Sequence, residues 1–262
     1  LKFEVRNKCW GFFAENFNNN SVTLNSPCSF NVPSPEFRPQ TEADPEDDED
    51  DRAHAGSTLT TLDMDGDGDK EVLVGDISFN NLVGLYNGGS VNYAFMMQED
   101  TLFPSYDESV NITVFPAAFH LDVDHDGRRD LLVTPNASSL SHDHRSVHLY
   151  RNVGTDASPV FDFMQDNLFQ ERMLELGLGA IPAAFDENGN ALMDLIVSNH
   201  GYYQSGGNYV GKMALLRNVG SASSPAFEMV TDDWMGLSTS GIGLSMHLAF
   251  TDLDGDGDKD MY

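Results

Sequence analysis

Asp63, Asp65, Asp67, Asp69 and Glu71 stand at alternate positions of a nine-residue stretch, with Gly66 and Gly68 between them. Closely spaced carboxylates on a chain that turns at glycine form a donor set for a hard divalent cation, because Ca²⁺ takes about six to eight oxygen ligands. The pattern is D-x-D-x-D-G-x-x-[DE], and it recurs. Asp122, Asp124, Asp126, Gly127 and Asp130 reproduce it, as do Asp252, Asp254, Asp256, Gly257 and Asp260, while Asp186, Asn188, Asn190 and Asp194 form a degenerate third copy. The copies begin at residues 63, 122, 186 and 252, intervals of 59, 64 and 66 residues. Self-similarity at so steady a period implies a repeat architecture.

The calcium loop that joins two helices also begins D-x-D-x-D-G, but it closes on a bidentate Glu at position 12. Position 12 here is Val74, Val133 and Val197 in the first three copies, and the flanks are short and β-branched. The ligand set therefore closes at position 9, on Glu71, Asp130, Asp194 and Asp260. Position 7 carries Asp69, Arg128, Leu192 and Asp258, four unlike side chains, as expected where only the backbone carbonyl ligates. The third copy has Asn188 and Asn190 in place of acids and Ala191 in place of glycine, so it is expected to hold its ion more weakly. Asp and Gly also favour plain turns, but regular recurrence points to cations. Their first role would be to fasten a connection between strands.

Around each loop the elements repeat. In the second copy Ala117–Leu121 enters the loop, Leu131-Leu132-Val133 leaves it, Val147–Tyr150 follows, Arg151-Asn152-Val153-Gly154 turns, and Pro159-Val160-Phe161 starts a fourth strand. The third copy repeats this through Arg217-Asn218-Val219-Gly220 and Pro225-Ala226-Phe227. Four strands per unit of about 60 residues fit a β-propeller blade. The expected fold is all-β, with blades at about 57–115, 116–179, 180–244 and a truncated 245–262. A helix reading survives only around Phe169–Leu176, as a local insertion between blades.

Ahead of the repeats, residues 1–32 read as irregular β structure. Residues 33–56, with four prolines and the run Glu46–Asp51, read as a solvated linker. Cys9 and Cys28, the only cysteines, are compatible with one disulfide in an oxidising compartment, with two buried free thiols or partners outside this chain as the alternatives. The 262-residue chain has 14 basic and 42 acidic residues and a net charge of −28, which argues strongly against nucleic acid or an anionic membrane surface as a partner. No apolar run is long enough to span a bilayer.

The loops, the strand after each, and the Arg-Asn-Val-Gly and Pro-x-Phe phrases resemble the FG-GAP/VCBS repeat family. The likeness covers about Ser57–Tyr262. It implies an integrin-α-like calcium-binding propeller, with the loop residues named above as Ca²⁺ ligands, up to four ions, and secretion to the cell surface. Literal Phe-Gly and Gly-Ala-Pro phrases are missing, as in the bacterial VCBS type. The repeat number is low for a closed propeller, and Tyr262 follows the last loop closely, so the chain is expected to be a piece of a longer protein or to assemble with other subunits.

Groups for catalysis are sparse. His142, Asp143, His144 and His148 are candidate transition-metal ligands in a polar loop, where solvated histidines are the simpler reading. Gly177-Leu178-Gly179 and Gly241-Ile242-Gly243 read as repeat turns. The expected function is a calcium-rigidified scaffold that binds an extracellular protein or glycan, with Tyr202, Tyr203 and Trp234 as candidate stacking residues and packing between blades as the simpler reading of Trp234. The alternatives are the propeller of a polysaccharide lyase and a subunit of a surface assembly. Asn19, Asn111 and Asn136 begin N-x-[ST] sequons.

Overall fold

The computed structural model describes residues 10–16, 19–26, 56–137, 140–142, 144–204 and 206–262. Cys9, Cys28, Asp143 and the stretch 33–55 lie outside the described residues. The described chain is all-β and divides into two compact units, one made of the residues up to Ser141 with Arg145–Leu168, the other of His142, His144 and Phe169–Tyr262.

In the first unit β1 (Phe13–Glu15) and β2 (Val22–Leu24) form a hairpin. A four-stranded antiparallel sheet follows, β3 (Ser57–Leu62), β4 (Glu71–Asp76), β5 (Leu82–Asn87) and β6 (Met96–Phe103), each strand beside the next. A second sheet of the same order holds β7 (Pro116–Leu121), β8 (Asp130–Pro135), β9 (His148–Asn152) and β10 (Phe161–Gln165). Every residue of β4 is buried. The cause is cover on both faces, which suits its unbroken apolar run Val72-Leu73-Val74. Val72 and Val74 pack with Val22 of the hairpin, while Leu73 joins a core shared with Leu131, Val133, Tyr150 and Phe161 of the second sheet. The hairpin is also tied by Val22 N, which donates to Glu99 Oε2 at 3.0 Å.

The first strands of the two sheets lie side by side. Thr58 Oγ1 donates to the Pro116 carbonyl at 2.5 Å, and Thr60 Oγ1 donates to the Ala118 carbonyl. A period of two places both hydroxyls on the same face of β3. Gly75 of β4 is needed for this approach, because a Cβ there would stand 1.9 Å from the Pro116 carbonyl oxygen.

The second unit repeats the meander with β11 (Ile181–Phe185) and β12 (Asp194–Ser198). A small hairpin, β13 (Tyr202–Gln204) and β14 (Asn208–Val210), comes before β15 (Met213–Asn218) and β16 (Phe227–Thr231). The sheet order is β11-β12-β15-β16. A 3₁₀ turn at Trp234–Thr239 leads to a strand pair, β17 (Phe250–Thr251) and β18 (Asp260–Met261). Phe185 and Phe250, each at the entry to an acidic loop, stack at 4.4 Å with 7° between their planes.

Three expectations are corrected. Residues 169–176 contain no helix: Phe169 has φ 66° and Met173 and Leu174 are exposed, so the segment offers neither helical backbone nor an apolar stripe to bury. Tyr203 is buried within the β13–β14 hairpin, edge-on to His142 and Tyr209, whereas Trp234 takes the packed alternative, against the core around Ile196, Met213 and Leu215. His148 is a core residue of β9, 8% exposed and edge-on to Phe163, whereas the half-buried His144 lies 3.6 Å from Glu175.

Phe161 and Tyr150 predict opposite outcomes. Phe161→Ala empties the centre of the shared core and should cost about 3–5 kcal/mol in denaturant unfolding. The buried Tyr150 hydroxyl has no hydrogen-bond partner, so Tyr150→Phe should leave stability unchanged or raise it by about 1 kcal/mol.

Candidate metal centre

Each acidic loop joins the first and second strands of a sheet. Its position-9 carboxylate is the first residue of the second strand and pairs with the residue just before position 1: Leu62 with Glu71, Leu121 with Asp130, Phe185 with Asp194, Thr251 with Asp260. The hairpin ladder thus delivers the last acid of each loop beside the first. In the same way in all four, the position-9 carboxylate accepts from the amide of position 2. Met64 N reaches Glu71 Oε2 at 2.5 Å, Val123 N reaches Asp130 at 3.1 Å, Glu187 N reaches Asp194 at 3.0 Å and Leu253 N reaches Asp260 at 2.8 Å.

Between these ends the chain runs through overlapping side-chain turns. The position-3 oxygen accepts from the amide of position 5, and the position-5 oxygen from that of position 7. The third loop does this with Asn188 and Asn190 at 3.1 and 2.8 Å, matching Asp124 and Asp126 at 3.1 and 2.9 Å. An amide oxygen therefore replaces a carboxylate without changing the backbone path. What it removes is charge.

Positions 4 and 6 are left-handed in every loop. Glycine occupies most of them, but His125 holds position 4 of the second loop at φ 62° and Ala191 holds position 6 of the third at φ 66°. Ala191→Gly should therefore stabilise the protein by about 1 kcal/mol, read as a raised unfolding midpoint.

Asp63, Asp65 and Glu71 bring carboxylate oxygens within 4.8 Å of one another, as do Asp122, Asp124 and Asp130, and Asp252, Asp254 and Asp260. These groups could hold a metal ion. The chemistry fits one, because Glu71 Oε1 and Asp122 Oδ1 are buried without a hydrogen-bond donor, and a buried anion without a partner is costly. Burial first, and then Asp65 and Asp69, push the Glu71 carboxyl up to about 7, although the Met64 amide pulls the other way. The third loop has three carboxylates, but Glu187 pairs with Arg217, which leaves Asp186 and Asp194 at ligand positions and fewer charges to offer.

Position 7 divides the loops. Arg128 folds back on Asp126, whose carboxyl it holds below the usual range, and so adds positive charge rather than a ligand side chain. Leu192 offers no donor atom on its side chain. Asp258 is exposed, but Asp69 is 2% exposed and turns inward beside Glu71. The expectation that position 7 acts through its carbonyl alone leaves Asp69's side chain unexplained.

Sequence reasoning noticed the Arg-Asn-Val-Gly phrase without its purpose. The Asn152 amide nitrogen of the main chain donates to Asp130 Oδ1 at 2.9 Å, while its side-chain oxygen accepts from Gly154 N at 2.9 Å and Val160 N at 3.2 Å. Asn218 does the same for Asp194, Gly220 and Ala226. Arg151 donates to Asp124 and Arg217 to Glu187. The phrase couples the turn between the third and fourth strands to the acidic loop of the same sheet. Its recurrence 66 residues apart was the available signal.

No family model matches the chain, and no curated protein or solved structure matches it either.

Without a cation, Glu71 makes stability pH-dependent. Its ordinary value of 4.5 is raised to about 7 in the folded state, so its contribution is full below about 4.5 and lost as pH rises through about 7. Chelator-treated protein should lose stability across that window, and Glu71→Gln should flatten this part of the denaturation profile.

Proposed function

We propose that the chain is a calcium-stabilised β-propeller segment that serves as a binding scaffold outside the cell, presenting a surface to a protein or glycan. One observation carries the reading: four hairpins of identical design gather oxygen donors at matching positions, in three of them with a carboxylate trio close enough to share an ion. An all-oxygen donor set of carboxylates, amide oxygens and carbonyls suits calcium rather than a softer metal. Four-stranded meanders in which each strand neighbours the next suit propeller blades, and so does the side-by-side seam of β3 and β7. The resemblance to FG-GAP/VCBS repeats rests on these motifs.

An extracellular setting is part of this proposal, since calcium modules outside the cell work at about 10⁻⁴–10⁻³ M. The net charge of −28 would be partly neutralised there by bound divalent ions.

Calcium should raise the unfolding temperature, since a ligand at a hundred times its Kd stabilises by about 2.7 kcal/mol per site. EGTA should reverse this, and an identical melting curve in calcium and EGTA would sink the reading. Asp65→Ala should lower the calcium-loaded midpoint more than Asn188→Ala. Immobilised glycans probed with calcium-loaded and chelated protein would then identify the partner class.

A further inference from the structure

The first acidic loop differs from its siblings at two positions together. Position 9 is Glu71, where the others have Asp, and position 7 is the buried Asp69, where the second and third have Arg128 and Leu192. In the second and third loops the two oxygens of the position-9 Asp are each engaged, one by the amide of position 2 and one by the amide of Asn152 or Asn218. In the first loop the longer Glu71 keeps the position-2 bond through Oε2, and its Oε1 is left without a partner. Both oxygens of Asp69 are likewise buried and unpartnered. Asp69 is 2% exposed and Glu71 is fully buried.

The two residues that carry these oxygens belong to one cluster. Asp67, Asp69 and Glu71 bring carboxylate oxygens within 4.8 Å of one another, a second group distinct from Asp63, Asp65 and Glu71 and sharing Glu71 with it. A single position would leave the Asp69 carboxylate buried against other anions, at a cost proteins avoid unless the charge is met. The second loop meets its surplus differently: Arg128 covers Asp126 and Arg151 covers Asp124. The first loop has five carboxylates, and Lys70, its one basic residue, is exposed.

The geometry points to a second divalent-cation position in the first loop, formed by Asp67, Asp69 and Glu71, with Glu71 bridging the two ions. The position takes an oxygen-seeking ion such as Ca²⁺. It stiffens the start of β4, the strand buried on both faces. This inference rests on the calcium reading above.

Calcium counted by native mass spectrometry, with the wild-type chain as reference, separates the two. Asp69→Leu, which installs the residue of the third loop, should bind one ion fewer than wild type. Asp65→Ala combined with Asp69→Leu should bind two fewer. An unchanged count for Asp69→Leu overturns the second position, and so does a double variant that loses only one ion, since the loop then holds one ion in total. Asp69→Asn, of the same shape, is measured alongside and should also lose one ion; it decides the matter if the leucine variant does not fold. A wild-type chain that binds no calcium at all overturns the broader reading instead.

Discussion

Each repeat is held by one hydrogen bond that recurs without exception in the four loops: the amide two residues into the acidic stretch donates to the carboxylate that begins the next strand. That bond closes an eight-residue excursion between two paired strand ends and brings the first and last acids together. The proximity has an electrostatic consequence. Carboxylates gathered within 4.8 Å repel one another unless a cation, a guanidinium or a set of amides meets their charge, and every loop uses some combination of these.

The combinations differ where position 7 differs. In the second loop Arg128 and Arg151 cover two acids, and the main chain of Asn152 satisfies the position-9 oxygen facing away from the loop. In the third, amide oxygens lower the charge and Asn218 plays the part of Asn152. In the first, no arginine intervenes, and charge accumulates at Asp69 and Glu71. The repeat therefore has one backbone and several electrostatic solutions. Backbone hydrogen bonding constrains the path of the chain, whereas side-chain charge beyond position 9 remains adjustable.

Packing depends on the same hairpins. The residue before each loop closes the ladder, and at Leu62 it also enters the core that joins the first two sheets. The threonines of β3 bind the carbonyls of β7 along a seam close enough to require Gly75. A disturbance of the first loop thus reaches both the seam and the shared core.

The sequence alone determined the four loops, their closure at position 9, and the strands on either side, because ligand spacing and strand alternation are local properties with periods short enough to read directly. The Asn-Val-Gly turns were legible as a repeat but not as a tether, since their partner acid lies 22 to 24 residues earlier. The helix expected at Phe169–Leu176 failed because a local apolar pattern says nothing about whether a face exists to receive it. Only the tertiary structure decided that Tyr203 and His148 are buried, and that Asp69 turns inward while Arg128 turns back. Burial and orientation are set by neighbours brought in from distant parts of the chain, and with them the question of which carboxylate oxygens are left for a cation.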